Sequence, residues 1–287
     1  MKKFIKKILS FLAENLGWGD IKREIRDNNK FLQANFLQAN LYGHKKYLDN
    51  KRLNQHEFKI FSQGGEDGII EEIFKRIGET NKIFVEFGVG DGTENNSLYL
   101  FLKNWRGYWL DGNLSSINKI KSRYDFLLKP GKLQVCHYFI TAENIETALK
   151  ELGVPKKLDF LSIDIDGNDY WVWQAIVNYS PRVVAIEYNG NLGPEIKWVM
   201  KYRPDHVWRG TSYFGASLKS LELLGASKKY KLVGCSFAGT NAFFVREDLI
   251  GDNFFAPFTS ENHYEPKRLF LLKTVGEKRF FGDWENI

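Results

Sequence analysis

The sequence predicts an α/β fold built on a mostly parallel sheet, and three observations carry that reading. From residue 58 onward, short apolar strands alternate with helical segments at the spacing of βαβ units. The first strand runs straight into a glycine-rich loop that opens a helix. The last two strands are separated only by Ala238–Thr240, which requires a hairpin and so an antiparallel end to the sheet.

The elements follow in order. FSQGGEDGIIEEIFKRIG (61–78) reads as a loop and then a helix, with Ile69, Ile70, Ile73, Phe74 and Ile77 on one side. Strands are expected at 82–88, 107–112, 133–140, 158–166, 182–189, 230–237 and 241–248. Helices are expected near 94–104, 115–127, 143–152, 168–178 and 216–225, with right-handed crossovers. This main domain spans 56–250. A helical arm, 1–55, precedes it, and an aromatic-rich extension, 251–287, packs on it.

Composition narrows the class. The 287 residues are 43% hydrophobic and 15% aromatic, enough to build a core and to exclude a disordered chain. No apolar run approaches the roughly 18 residues of a membrane span. Two cysteines, Cys136 and Cys235, cannot form a disulfide scaffold; both sit in strand-like runs, as reduced core residues of a cytoplasmic protein do. The net charge of +6 suggests nucleic acid until it is divided. Residues 1–60 hold 13 Lys and Arg against 6 Asp and Glu, net +7, while the other 227 hold 28 against 29, net −1. The basic character belongs to the arm, and no nucleic-acid partner is expected.

The arm begins MKKFIKKILSFLAENLG, with Phe4, Ile8, Phe11, Leu12 and Leu16 at helical spacing behind Lys2, Lys3, Lys6 and Lys7. Two partners suit it: an anionic membrane surface through residues 1–17, at the inner face of the membrane, or a second copy of the chain through residues 1–55. FLQAN occurs at 31–35 and again at 36–40, too short a repeat for a solenoid. Gly43 to Gln55 reads as a linker.

The chemistry-bearing residues fall at predicted strand ends. Glu86-Phe87-Gly88-Val89-Gly90-Asp91-Gly92-Thr93 lets the backbone turn sharply and approach a ligand, and the following helix presents free N–H groups. Asp111, 19 residues beyond Gly92, ends the second strand, where a carboxylate can accept both hydroxyls of a ribose. A nicotinamide-dependent oxidoreductase would carry its third glycine one residue later, and a non-catalytic cofactor-binding scaffold would not need the intact loop and acid. SIDIDGNDYW gathers Asp164, Asp166 and Asp169, and the next strand ends in Glu187 and Asn189. Acids on adjacent strand ends can hold Mg²⁺, with Asp164, Asp166 and Glu187 as the ligands. Alternatively, Asp164 faces the cofactor, Asp166 caps the next helix, and no metal is held. Asp166, Asp169, His137 and His206 are candidates for a general base. His206 lies in KYRPDHVWRGTSYFG, whose Arg203, Trp208, Arg209 and Tyr213 suit a sugar or a phosphorylated group.

As a set, E-F-G-V-G-D-G-T, Y-W-L-D, S-I-D-I-D-G-N-D and the closing hairpin resemble the class I S-adenosylmethionine-dependent methyltransferases over residues 60–248. FSQGGEDGIIEEIF and YFGASLKSLELLG…YKLVGCSFAGTNAFFVRED resemble the FkbM-like branch, associated mostly with O-methylation of sugars and of polyketide or glycan products. The resemblance implies a Rossmann-like, seven-stranded sheet and S-adenosylmethionine as cofactor. It implies that Glu86, Gly88, Gly90 and Gly92 line the methionine and ribose, and that Asp111 holds the ribose. Ala142, within Thr141–Glu143, would lie near the adenine, and Gln63 and Glu66 near the methionine end. Some sugar and catechol O-methyltransferases hold their acceptor through a metal at comparable acids. The implied activity is O-methyl transfer to a sugar, glycan or related small-molecule hydroxyl.

Overall fold

A computed structural model describes residues 18–272 and 281–284. Residues 1–17, expected as an amphipathic helix for a membrane surface or a second copy of the chain, lie outside the described residues. The sheet contains β1 (Ile83–Phe87), β2 (Arg106–Asp111), β3 (Leu133–His137), β4 (Phe160–Ile163), β5 (Val183–Glu187), β6 (Tyr230–Cys235) and β7 (Asn241–Arg246). Its order is β3-β2-β1-β4-β5-β7-β6. The first five strands run parallel, and β7 is antiparallel to both β5 and β6. This is the Rossmann-like, seven-stranded architecture expected from the sequence.

Eight α-helices accompany the sheet among the described residues: α1 (Trp18–Leu37), α2 (Glu66–Ile77), α3 (Leu114–Arg123), α4 (Asp125–Leu128), α5 (Ile145–Glu151), α6 (Asp169–Ala175), α7 (Leu218–Ser227) and α8 (Ser260–His263). Strand alternation feeds two cores. Phe84 packs with Ile69 and Ile73 of α2 on one face, and Val85 and Phe87 pack with Leu110, Ile163 and Trp173 on the other. With both faces covered, β1 and β5 are buried along their whole length. Side-chain caps set two helix starts. Asn113 accepts from the amides of Ser115 and Ser116, and Ser217 accepts from Ser220.

The structure departs from the expected boundaries for identifiable reasons. Instead of a helix over 94–104 there is a 3-10 segment, Leu98–Lys103. Glu86 draws the amides of Asn96 and Ser97 into the fold just before it. β4 ends at Ile163 because Asp169 takes the amides of Ile165 and Gly167 out of the ladder. The hairpin connection is five residues, 236–240, closed where the Ser236 hydroxyl accepts from the amides of Thr240 and Asn241.

The segment expected as a linker packs against the body. Tyr47 and Leu53 are buried, and the Arg52 guanidinium lies over the Phe255 ring, 3.9 Å from its centroid, while bonding to Asn262. The two FLQAN copies part company: Phe31 is exposed, whereas Phe36 packs on Phe237 and Phe270. From the C-terminal side, Phe254 and Phe281 enter the main core. Among the described residues, no helix is long and apolar enough to cross a membrane.

Candidate functional site

The strand order reverses between β1 and β4, and ligands of open parallel sheets sit beyond the carboxyl ends of the strands at such a point. Two adjoining cavities occupy that position. The larger, about 630 Å³, is lined by Leu110, Asp111, His137–Ile140 and His206. The smaller, about 340 Å³, is lined by Gln63, Glu86, Asn95, Asn96, Glu187, Asn241 and Lys267. Gly88, Gly90, Asp164, Asp166 and Trp208 belong to both and form the shared wall.

The glycine loop is held by contacts that few residues permit. Gly88 has φ +71°, and a Cβ there would stand 1.6 Å from the Asp164 carbonyl oxygen. Its amide donates to Leu110 O at 3.0 Å, so the loop touches the ends of both β2 and β4. Asp111 accepts from the Gly90 amide at 2.8 Å and from the Asn113 amide at 2.7 Å, one bond per oxygen. Each oxygen keeps a lone pair for a ligand hydroxyl. Apolar Leu110, Phe139 and Ile140 offer faces for a flat base.

The smaller cavity is built from carboxylates and amides. Glu86 accepts from the amides of Asn96 and Ser97 and from the Ser97 hydroxyl, which also receives Trp109 Nε1. Burial raises its pKa against those hydrogen bonds. Asp164, Asp166 and Glu187 bring one carboxylate oxygen each to within 4.8 Å of one another. Burial raises Asp164 and Glu187 well above the usual carboxylate range; the charges of Asp166 and Asp169 push Asp164 further, those of Asp164 and Asp169 push Glu187 further, and Lys267 draws both back. Asp166, at the rim with φ +56°, rises for the same first reason, while Lys267 and His206 pull it down. Three buried acceptors on this wall have no hydrogen-bond partner among the described residues: Asn95 Oδ1, Asn241 Oδ1 and Glu187 Oε2. Such groups are costly unless a ligand donates to them.

Several residues predicted for the site stand off both cavity walls, Arg203, Arg209 and Tyr213 of the 201–215 segment among them. Gly92 faces Ile120, Tyr124 and Trp109 and serves the packing of α3. Ala142 lies beyond the cavity because β3 stops at His137, so Phe139 and Ile140 cross the base position and the Ala142 amide turns to Tyr202 Oη. Asp169 is fully buried, with its oxygens on the amides of Ile165 and Gly167 and its pKa raised by burial to about 6. It buckles the loop that carries Asp164 and Asp166. Asn189, the other strand-end candidate, holds the carbonyls of Ser212 and Phe214. Glu66 stands behind the wall, accepting from Gly64, Thr240 and Asn241.

Lys267, Asn241 and Asn95 were not foreseen. Asn241 pairs with Glu187 in the β5–β7 register, which no local motif announces. Lys267 Nζ lies 3.9 Å from Glu187 Oε1 and 4.5 Å from the centre of the Phe214 ring. This bears on the Mg²⁺ expected at the three acids. The oxygen donors are of the right kind, but an ion about 2.1 Å from Glu187 Oε1 would lie within about 6 Å of that ammonium. Two cations that close beside the buried Glu187 carboxylate repel, so the residues as arranged do not suit a divalent ion.

No family model and no curated protein sequence matches the chain. Solved structures do. The methyltransferase domain of bacterial CtHen1-C aligns with TM-score 0.42 and 12% identity, over 64% of this chain and 97% of that one. An S-adenosylmethionine-dependent methyltransferase from Clostridium acetobutylicum aligns with TM-score 0.40 and 11% identity, over 76% and 98%. TrmK of M. capricolum, in complex with S-adenosylhomocysteine, aligns with TM-score 0.37 and 14% identity, over 61% and 65%.

Proposed function

We propose that the chain is an S-adenosylmethionine-dependent methyltransferase acting on a hydroxyl of a polar, sugar-like acceptor. One observation carries the reading: two cavities of different chemistry meet across a single wall. The larger has the apolar faces and the strand-end carboxylate that a nucleoside needs. The smaller has orphaned acceptors that an ammonium group and hydroxyls would satisfy. A molecule with a nucleoside at one end and a charged amino acid at the other spans both.

The cofactor supplies an activated methyl group, so the protein's work is alignment. Asp111 fixes the ribose, with both oxygens already oriented by backbone amides. Gln63, Asn95 and Asn241 face the amino-acid end. Asp166 stands where the cavities join, on a loop fixed by Asp169, and accepts the proton of the acceptor hydroxyl. Trp208 and Phe214 present aromatic faces, and the carboxylates present acceptors, the pairing that suits a sugar ring. The test is transfer of labelled methyl from S-adenosylmethionine to a panel of sugars and glycans. Labelled product from a hydroxyl acceptor supports the reading; label appearing only on amine acceptors overturns its O-methyl part.

A further inference from the structure

The acidic cavity has a cation of its own, and the C-terminal strap delivers it. Residues 264–268 are fixed on both sides of Lys267. Glu265, almost fully buried, accepts from Tyr47 Oη, Lys46 Nζ and Arg268 Nη1 at 2.7–2.9 Å. The Lys267 amide donates to Gly190 O, and the Arg268 amide to Ala238 O. The strap lies so close to the body that a Cβ on Gly239 would stand 2.2 Å from Pro266 O, and one on Gly190 3.2 Å from Lys267 N. The ammonium is therefore placed by packing, and its side chain is only 14% exposed.

The surroundings call for positive charge. Three carboxylate oxygens lie within 4.8 Å of one another. Glu187, 8% exposed, has an Oε2 with no partner among the described residues. Lys267 faces this group at 3.9 Å, beyond hydrogen-bond length, so its N–H donors stay available to a bound molecule. Of the three, Glu187 is buried, Asp164 half-buried and Asp166 exposed at the rim, and a buried carboxylate crowded by two others is unfavourable without a counter-cation.

We propose that Lys267 is the resident cation of the smaller cavity, taking the place a divalent metal would hold among Asp164, Asp166 and Glu187 and, beside the amino-acid end of the cofactor, binding the oxygen of the acceptor hydroxyl there. The inference deepens the methyltransferase reading by naming the acceptor-binding group. Removing the ammonium should turn the three acids into an oxygen-ligand metal site.

The test is Mn²⁺ binding to the full chain, read by the loss of the free-ion electron paramagnetic resonance signal. It uses neither cofactor nor turnover, so it stands or falls apart from the methyltransferase reading. Wild type and Lys267→Arg should bind Mn²⁺ at least tenfold more weakly than Lys267→Met. Lys267→Gln replaces Lys267→Met if the latter does not fold, with unchanged circular dichroism as the control. Equal Mn²⁺ affinity in wild type and the neutral variant, whether tight or absent, overturns the proposal.

Discussion

The two cavities are built by different means. The larger owes its shape to the backbone: a glycine that meets β4 at an atom-to-atom distance no side chain allows, and an aspartate strung between two amides. The smaller owes its shape to side chains from five separated places: Gln63 before α2, Asn95 after the glycine loop, Glu187 on β5, Asn241 on β7 and Lys267 on the strap. The first is rigid and intolerant. The second is adjustable residue by residue. That division suits a nucleoside held in one fixed pose beside a more adjustable space shared by the cofactor's amino-acid end and the acceptor.

The largest predicted effect falls on the rigid side. Gly88→Ala drives a methyl group into the Asp164 carbonyl at a left-handed φ. It should abolish S-adenosylmethionine binding and lower unfolding free energy by about 3 kcal/mol or more in urea titration. A variant that binds normally would show the loop to be slack and erase the contrast. Asp166→Asn, on the adjustable side, should leave cofactor affinity within about twofold and cut turnover about 100-fold, the usual scale for a lost base. Loss of affinity instead would move Asp166 from the acceptor to the cofactor.

The end of α8, which leads into the strap, gives a pH test. Burial holds the His263 pKa down at about 3 against an ordinary 6.5, and the charges of Arg52 and Lys46 hold it down further. The folded chain keeps this ring neutral while the unfolded chain protonates it, so stability is lost as pH falls through 6.5, by about 2 kcal/mol at pH 5. Asp169 runs the other way: its folded pKa of about 6 lies above the ordinary 3.8, so its contribution is present at low pH and lost as pH rises through 6. His263→Gln removes only the first effect. It should gain about 2 kcal/mol on wild type between pH 7.5 and pH 5, measured by denaturant unfolding. No change would place the acid sensitivity outside α8. The smallest effect is Asp111→Asn, which keeps one acceptor and loses the charge; affinity for S-adenosylmethionine should fall about tenfold by calorimetry.

The same division explains what the sequence made legible. Gly88, Gly90 and Asp111 lie between the start of β1 and the end of β2, where strand, turn and acid follow at fixed spacing, so local pattern suffices. Asp164, Asp166 and Glu187 were readable as strand-end acids because strands predicted as neighbours do pair, β4 with β5. Lys267 was not, because its place depends on glycines 190 and 239 and on a buried glutamate held from the N-terminal side. Asp169 misled for a similar reason: its spacing suggests a site acid, while its bonds to Ile165 and Gly167 make it a brace. Boundaries failed where side chains captured backbone amides, as at Glu86.

The most direct test is a calorimetric titration of the full chain with S-adenosylmethionine, and separately with NAD. The account predicts saturable one-to-one binding of S-adenosylmethionine, weakened in Asp111→Asn, and no heat from NAD. Folded protein that takes up NAD, or neither molecule, would contradict it.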